Sequence, residues 1–394
     1  MKKLLYLLVL VSLSCDNDIN ETVCDPTPQF SAEEFVIQIE SRLDESPIIG
    51  YQFAVNQGGN LYDELSKGLA RHEDDSGGPV SINETTRFNT ASIAKFVSAI
   101  LLLNALEDND ISLDWDFTDY LPPSWHDQLD PGHHYTFKEL LTHQTAIDFL
   151  NPPGVSQSPG SVHTEADLLR ALVAPPDPGL LGTYQNGNFN LVRVLIGEIV
   201  YNLDEDPSGN YATECTDKYF EYLEQKIIFP LTLTCPSNAD EMIAYYNSTP
   251  YPYAYQYPFN EDFTDDEGAL GWAHSNNPYI SSGAAGLMFS ALDIAQIAAQ
   301  FRHNDGGLLI SPLGRDNILE FELGLYNSLS GENGRYQCKR GTRGPDTCCS
   351  RAIQSVLMFF PNGVEAVIVT NSRHNSLHTV LRDAYDASWI NPCI

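Results

Sequence analysis

Ser92 and Lys95 stand three residues apart at the head of FNTASIAKFVSAILLLNAL, residues 88–106. A hydroxyl and an amine at that spacing share one face of a helix. If the helix is buried, desolvation drives the amine towards its neutral form, away from an ordinary value of roughly 10.4. A neutral amine beside a serine hydroxyl is a general base beside a nucleophile. The same pair also admits a structural role, with Ser92 capping the helix and Lys95 snorkelling its charge out to water. Lys95 is one of only eight lysines in 394 residues.

The elements that would position this pair follow from periodicity. Phe96, Ala99, Ile100 and Leu103 repeat at spacings of three and four, and Ile93, Val97, Leu101 and Leu102 fill the other sides. That pattern predicts a helix buried nearly all round. Upstream, SAEEFVIQIESRLDES predicts an amphipathic helix opened by a Ser31–Glu34 capping box. IIGYQFAVNQGGNLYDELSKGLA predicts two strands joined by a turn at Gly58-Gly59. From about 104 to 280, helical segments (FKELLTHQ, EADLLRALVA, NLVRVLIGEIVYNL, KYFEYLEQKIIFPL) are separated by proline-rich loops. After a further helix at SALDIAQIAAQF, strands are expected at FELGLYNS, RYQCKRG, AIQSVLMFF and VEAVIVTN, then a closing helix in NSLHTVLRDAYDASW. Strands at both ends with helices between them predict an α/β (α+β) body carrying an inserted, mainly helical region.

Lys2, Lys3 and the apolar run Leu4–Leu13 form a leader too short to span a bilayer as a mature helix. Ser14 and Cys15, followed by acidic residues, resemble a bacterial lipoprotein signal. The implied organisation is a signal peptide over 1–14, a lipidated tether over 15–30 anchored through Cys15, and a catalytic domain over 31–394. The expected address is a membrane-anchored lipoprotein, periplasmic or at the cell surface. With 53 acidic against 21 basic residues and a net charge of −32, the surface argues against nucleic acid as the main partner. Beyond Cys15, the cysteines Cys24, Cys215, Cys235, Cys338, Cys348, Cys349 and Cys393 are disulfide candidates in an exported chain, with connectivity open. The segment from Cys338 to Cys348 or Cys349 is long enough for a bridged hairpin loop. No C-x-x-C or H-E-x-x-H spacing occurs, and His133-His134 is expected in a loop. DNDISLD places Leu113 where a calcium loop needs glycine. No metal or other cofactor is expected.

Longer stretches carry a family resemblance. Ser92-Ile93-Ala94-Lys95, ISLDWDFTDYLP, YTFKELLTHQTAI and SSGAAGLMFSALDIAQIA resemble the serine β-lactamase and penicillin-binding-protein family. The likeness is greatest to the branch of class C β-lactamases, D-alanyl-D-alanine carboxypeptidases and related esterases, and it runs from about residue 35 to 390. It implies an antiparallel sheet flanked by the terminal helices, with a bridge between Cys24 and Cys393 as a further possibility. It also implies that Tyr184, in Tyr184-Gln185-Asn186, shares proton transfer with Lys95, and that Asn186 binds a substrate amide or the lysine. Lys339-Arg340-Gly341 matches the family's Lys-Thr-Gly strand, with Arg340 in place of threonine. Lys339 and Arg340 would then meet a substrate carboxylate, Gly341 would let the backbone approach, and the Thr342 and Ser92 amides would form an oxyanion hole. The implied activity is that of an exported serine hydrolase acting through an acyl-enzyme on peptide, lactam or ester carbonyls, with peptidoglycan-like peptides or esters as substrates. A carboxylesterase of the same fold, or an inactive lipid-anchored binding or scaffold protein, are the alternatives. The loop Tyr251–Tyr257 either walls the cleft or packs on the surface.

Overall fold

Glycines at 58 and 59, with φ of 59° and 81°, make the left-handed turn that a tight hairpin demands. They join β1 (Gly50–Gln57) to β2 (Asn60–Arg71), as the sequence predicts. These strands lie in an antiparallel sheet with β3 (Val80–Ser81), β4 (Leu329–Gly331), β5 (Gly334–Arg343), β6 (Arg351–Phe359) and β7 (Val364–Thr370). Their order across the sheet is β3-β2-β1-β7-β6-β5-β4, so strands from the two ends of the chain meet at β1 and β7. The computed structural model describes residues 27–151, 164–203, 210–261, 270–273, 277–326, 328–344 and 351–391. The leader, Cys15, Cys24, Cys348, Cys349 and Cys393 lie outside them.

Side-chain alternation divides the sheet into two faces. Val356 and Met358 point one way and Leu357 and Phe359 the other; Ala366 and Ile368 are likewise opposed to Val367 and Val369. One face packs under the terminal helices α1 (Ala32–Asp44) and α9 (Leu377–Ala387), where Phe35, Ile39 and Leu43 meet Phe360 and Tyr385. The other face meets the helices between the two groups of strands: α2 (Ala94–Asp108), α5 (Asn186–Tyr201), α6 (Tyr211–Leu223), α7 (Ala291–His303) and α8 (Pro312–Phe321), with the shorter α3 (Phe137–Leu141) and α4 (Glu165–Val173) beside them. This mixed α/β architecture is the expected one.

Four local expectations fare differently. Ser31 caps α1 by accepting from the Glu34 amide at 3.1 Å, but the Glu34 carboxylate takes Gln38 instead, so the capping box is half made. Residues 321–326 of FELGLYNS form no strand: Phe321 ends α8, Glu322 is left-handed at φ 55°, and Gly324 turns at φ 68° against α2. A Cβ on Gly324 would lie 2.5 Å from the Lys95 carbonyl, so this turn is shaped by close contact with the helix. Cys338 carries a free thiol buried between the sheet and the terminal helices, so the expected bridge from it is not made. In the tyrosine-rich loop, Tyr251 and Tyr255 are fully buried, and the Tyr255 hydroxyl donates to Asp75 while accepting from the His72 amide. That loop is packing.

Candidate active site

The turn before α2 is held from several sides. Thr90 donates both its amide and its hydroxyl to the Leu287 carbonyl at 3.0 Å, and its own carbonyl accepts from Ser355 Oγ at 2.7 Å. Ala91 is left-handed at φ 48°, a conformation that costs a non-glycine residue energy unless its surroundings impose it. Its amide is fixed on Asn89 Oδ1 at 2.9 Å. Ser92 follows in a short 3₁₀ turn, Ala91–Ile93, without capping through its side chain. In α2 itself every residue except Asn104, Glu107 and Asp108 is buried. Lys95 is 0 % exposed, so it does not snorkel, and the purely structural role fails on both residues.

Among the described residues, Lys95 Nζ has three hydrogen-bonding neighbours: Asn186 Oδ1 at 2.6 Å, the Ala284 carbonyl at 2.8 Å and Ser92 Oγ at 3.3 Å. Burial first, and then the charge of Lys339, hold this amine well below its ordinary pKa. A neutral amine has two N–H groups and one lone pair. Asn186 Oδ1 and the Ala284 carbonyl can only accept, so they take the two N–H groups and leave the lone pair for the Ser92 hydroxyl. The carbonyl is aimed by Ser98 Oγ, which donates to the neighbouring Gly283 carbonyl at 2.6 Å, and by Gly283 at φ 89°. A Cβ there would sit 2.1 Å from the Phe189 carbonyl, so only glycine fits.

Tyr184 reaches Ser92 from the opposite wall, donating from its hydroxyl to Ser92 Oγ at 2.7 Å. Gln185 is extended (φ −136°, ψ 131°), and alternation along extended backbone sends Tyr184 and Asn186 to one side and Gln185 to the other. Gln185 faces the core, accepting from the Phe149 amide at 2.7 Å and donating to the Ile147 carbonyl at 2.8 Å. Burial raises the Tyr184 pKa, a rise the Ser92 bond partly offsets, so the residue stays a phenol at neutral pH.

On β5, Lys339 pairs with Leu357 and faces the helical side, its Nζ 5.0 Å from the centre of the Tyr184 ring. Burial pushes its pKa down to about 7, with a smaller contribution from Arg340 and an opposing one from Cys338. Arg340 pairs with Val356 and turns to the other face, where it bonds His378 Nδ1 at 3.2 Å. It lines a separate cavity of about 200 Å³ with His374 and Thr342 at the start of α9. The structure therefore brings together Ser92, Lys95, Tyr184, Asn186 and Lys339, and takes Arg340 away from them. Gly341 sits where a Cβ would be 2.5 Å from both Ser355 Oγ and the Thr90 carbonyl. Its missing side chain lets β5 lie against the turn that carries Ser92, while the Thr342 side chain is exposed beside Gln354.

Three contributors escaped the sequence reading. Ala284 and Ser98 act through a carbonyl and its support, which no residue type signals. His143, in ELLTHQT, packs its ring 4.6 Å from that of Tyr184; a polar ring inside an apolar segment was the available clue.

A family model described as Beta-lactamase matches residues 36–346. Among solved structures, the class C β-lactamase from Rhodobacter sphaeroides is similar at 17% identity and a TM-score of 0.57, over 91% of this chain and 99% of that one. A β-lactamase/D-alanine carboxypeptidase from Pseudomonas syringae is similar at 16% identity and a TM-score of 0.59, over 91% and 99%. EstCE1, a hydrolase with promiscuous acyltransferase activity, is similar at 14% identity and a TM-score of 0.59, over 90% and 98%.

Proposed function

Because this chain belongs to the Beta-lactamase family, we propose that it is a serine hydrolase working through an acyl-enzyme on peptide, lactam or ester carbonyls. The observation that carries this reading is the placement of Ser92 Oγ between the Lys95 amine at 3.3 Å and the Tyr184 hydroxyl at 2.7 Å. Ser92 attacks the carbonyl carbon, and its proton passes to the lone pair of Lys95. The tetrahedral oxyanion is held by the amides of Ser92 and Thr342, donors worth about 2.7–4 kcal/mol each in such sites. As the intermediate collapses, the leaving group takes a proton through Tyr184, which Lys95 resupplies. Water then attacks the acyl carbon, Lys95 accepting its proton and returning it to Ser92 Oγ as the acyl–oxygen bond breaks, which restores the neutral amine and the hydroxyl. Lys339 supplies positive charge for substrates that end in a carboxylate, such as a D-alanyl peptide or a penicillin.

The leader supports export, with a lipid on Cys15 tethering the domain to a membrane; metabolic labelling with a fatty-acid analogue, lost in Cys15→Ala, tests it. The test of the chemistry is incubation with a fluorescent fluorophosphonate and a fluorescent penicillin. Covalent labelling of the wild type and none of Ser92→Ala is expected. Equal labelling of both would place the nucleophile elsewhere, and no labelling of either would mark an inactive binding protein.

A further inference from the structure

His143 is 3 % exposed and lies against the residue that donates to the nucleophile. Its backbone is left-handed at φ 59°, a region that histidine and asparagine enter more readily than most residues. Its Nδ1 meets two groups from the turn that carries Tyr184: the amide of Gln185 at 3.4 Å and the side-chain amide of Asn188 at 3.1 Å. The Gln185 N–H can only donate, so Nδ1 is the acceptor and the proton of the neutral ring sits on Nε2. Asn188 is oriented in turn by Thr145 Oγ1, 2.9 Å from its Oδ1. The ring lies 4.6 Å from that of Tyr184, 5.4 Å from Phe189 and 5.7 Å from Tyr326. One imidazole thus holds both the peptide that follows Tyr184 and the aromatic ring of Tyr184.

We infer that His143 is a positioning residue for Tyr184, fixing the phenol on Ser92 by clamping its peptide and its ring at once. This rests on the acyl-enzyme reading above. The clamp needs a neutral imidazole, because a proton on Nδ1 would repel the Gln185 N–H and add positive charge beside two lysines. Burial, reinforced by Lys339 and Lys95, holds the ring pKa down to about 2 and keeps it neutral. Nδ1 is taken by the Gln185 and Asn188 donors and Nε2 carries the proton. The ring therefore has no free lone pair to act as a base, and its influence on the reaction runs through Tyr184.

A double-mutant cycle separates this role from ordinary packing. His143→Asn tolerates the left-handed backbone but removes the ring. Ser92 phosphonylation should slow roughly 10–100-fold, as expected for a misplacement of about 1 Å, with the half-saturating probe concentration unchanged. In a Tyr184→Phe background the same change should cost no more than about twofold, because there is no hydroxyl left to position. An equal loss in both backgrounds would overturn the inference, and so would an unchanged rate in His143→Asn alone. If that variant does not fold, Asn188→Asp carries the same test, since it replaces the donor that meets Nδ1. If the wild type itself is not phosphonylated, the acyl-enzyme reading fails, and the clamp is judged from a crystal structure of whichever variant folds. A Tyr184 Oη–Ser92 Oγ separation beyond hydrogen-bond reach supports the clamp; one still at 2.7 Å overturns it.

Discussion

Buried charges are handled in two ways in this molecule. Away from the cleft, the two that are fully buried are paired. Arg193, fully buried in α5, meets Glu165 at 2.5 Å, and Glu365, fully buried on β7, takes Arg302 at 3.1 Å and His303 at 2.8 Å. At the cleft, Lys95 and Lys339 are equally buried, yet among the described residues neither forms an ion pair with a carboxylate. Lys95 has neutral acceptors and a hydroxyl, and Lys339 has the face of an aromatic ring. A carboxylate beside either lysine would hold its proton on, whereas neutral surroundings drive it off. Pairing serves the fold. Its absence at the cleft is what the proposed mechanism requires, since the base proposed there must be free to accept a proton.

That contrast can be broken from either side. Lys95→Ala removes the proposed base, so Ser92 labelling should fall about 10²–10⁴-fold while thermal unfolding stays cooperative. Arg193→Ala should do the reverse. Stranding Glu165 costs roughly 3–5 kcal/mol of stability, measured by urea unfolding, while protein that remains folded labels at nearly the wild-type rate.

Lys339→Ala sharpens the comparison by removing charge next to Lys95. Loss of a charge-assisted hydrogen bond of about 1.5–3 kcal/mol should reduce turnover of carboxylate substrates far more than that of p-nitrophenyl acetate. The acid limb of the rate profile should also move to higher pH, because Lys95 becomes easier to protonate. Equal losses on both substrates would favour a general esterase over a carboxylate-reading peptidase. Arg340→Ala, on the other face of the sheet, should change either rate by no more than about twofold.

A further effect is on stability against pH. The folded pKa of Lys339 is about 7, below its ordinary 10.5, so between these values the unfolded chain binds more protons and stability rises with pH. Below about 7 both states carry the proton, and this group gives no further change. Replacing Lys339 by Met should flatten the rise in urea midpoint between pH 7 and 9, and an unaltered rise would mean that Lys339 keeps its ordinary basicity.

Most of the fold could be read from periodicity, because period-two strands and three-four helices each record one buried face. FELGLYNS misled because its apolar spacing suits a strand, while its conformation is imposed by contact of Gly324 with the Lys95 carbonyl. At the site, spacing singled out Ser92 and Lys95 but left a structural role open, and the family resemblance decided between the two roles. Tyr184, Asn186 and Lys339 needed the family resemblance, since single residues far apart in the chain announce no common cleft. Arg340 shows where motif matching stops: its position in Lys-Arg-Gly suggested a carboxylate contact, but strand alternation turns its side chain towards His378. The Ala284 carbonyl is invisible to sequence, because backbone direction is set by Gly283 and its packing on α5 rather than by residue identity.

The central claim is that burial leaves Lys95 neutral and ready to take the Ser92 proton. The rate of Ser92 phosphonylation as a function of pH tests it most directly, with the adduct assigned by peptide mass spectrometry. A neutral Lys95 predicts a rate already at its plateau at neutral pH and falling only in acid. A rate that climbs about tenfold per pH unit from 7 towards 10 would show a lysine of ordinary basicity and contradict the account.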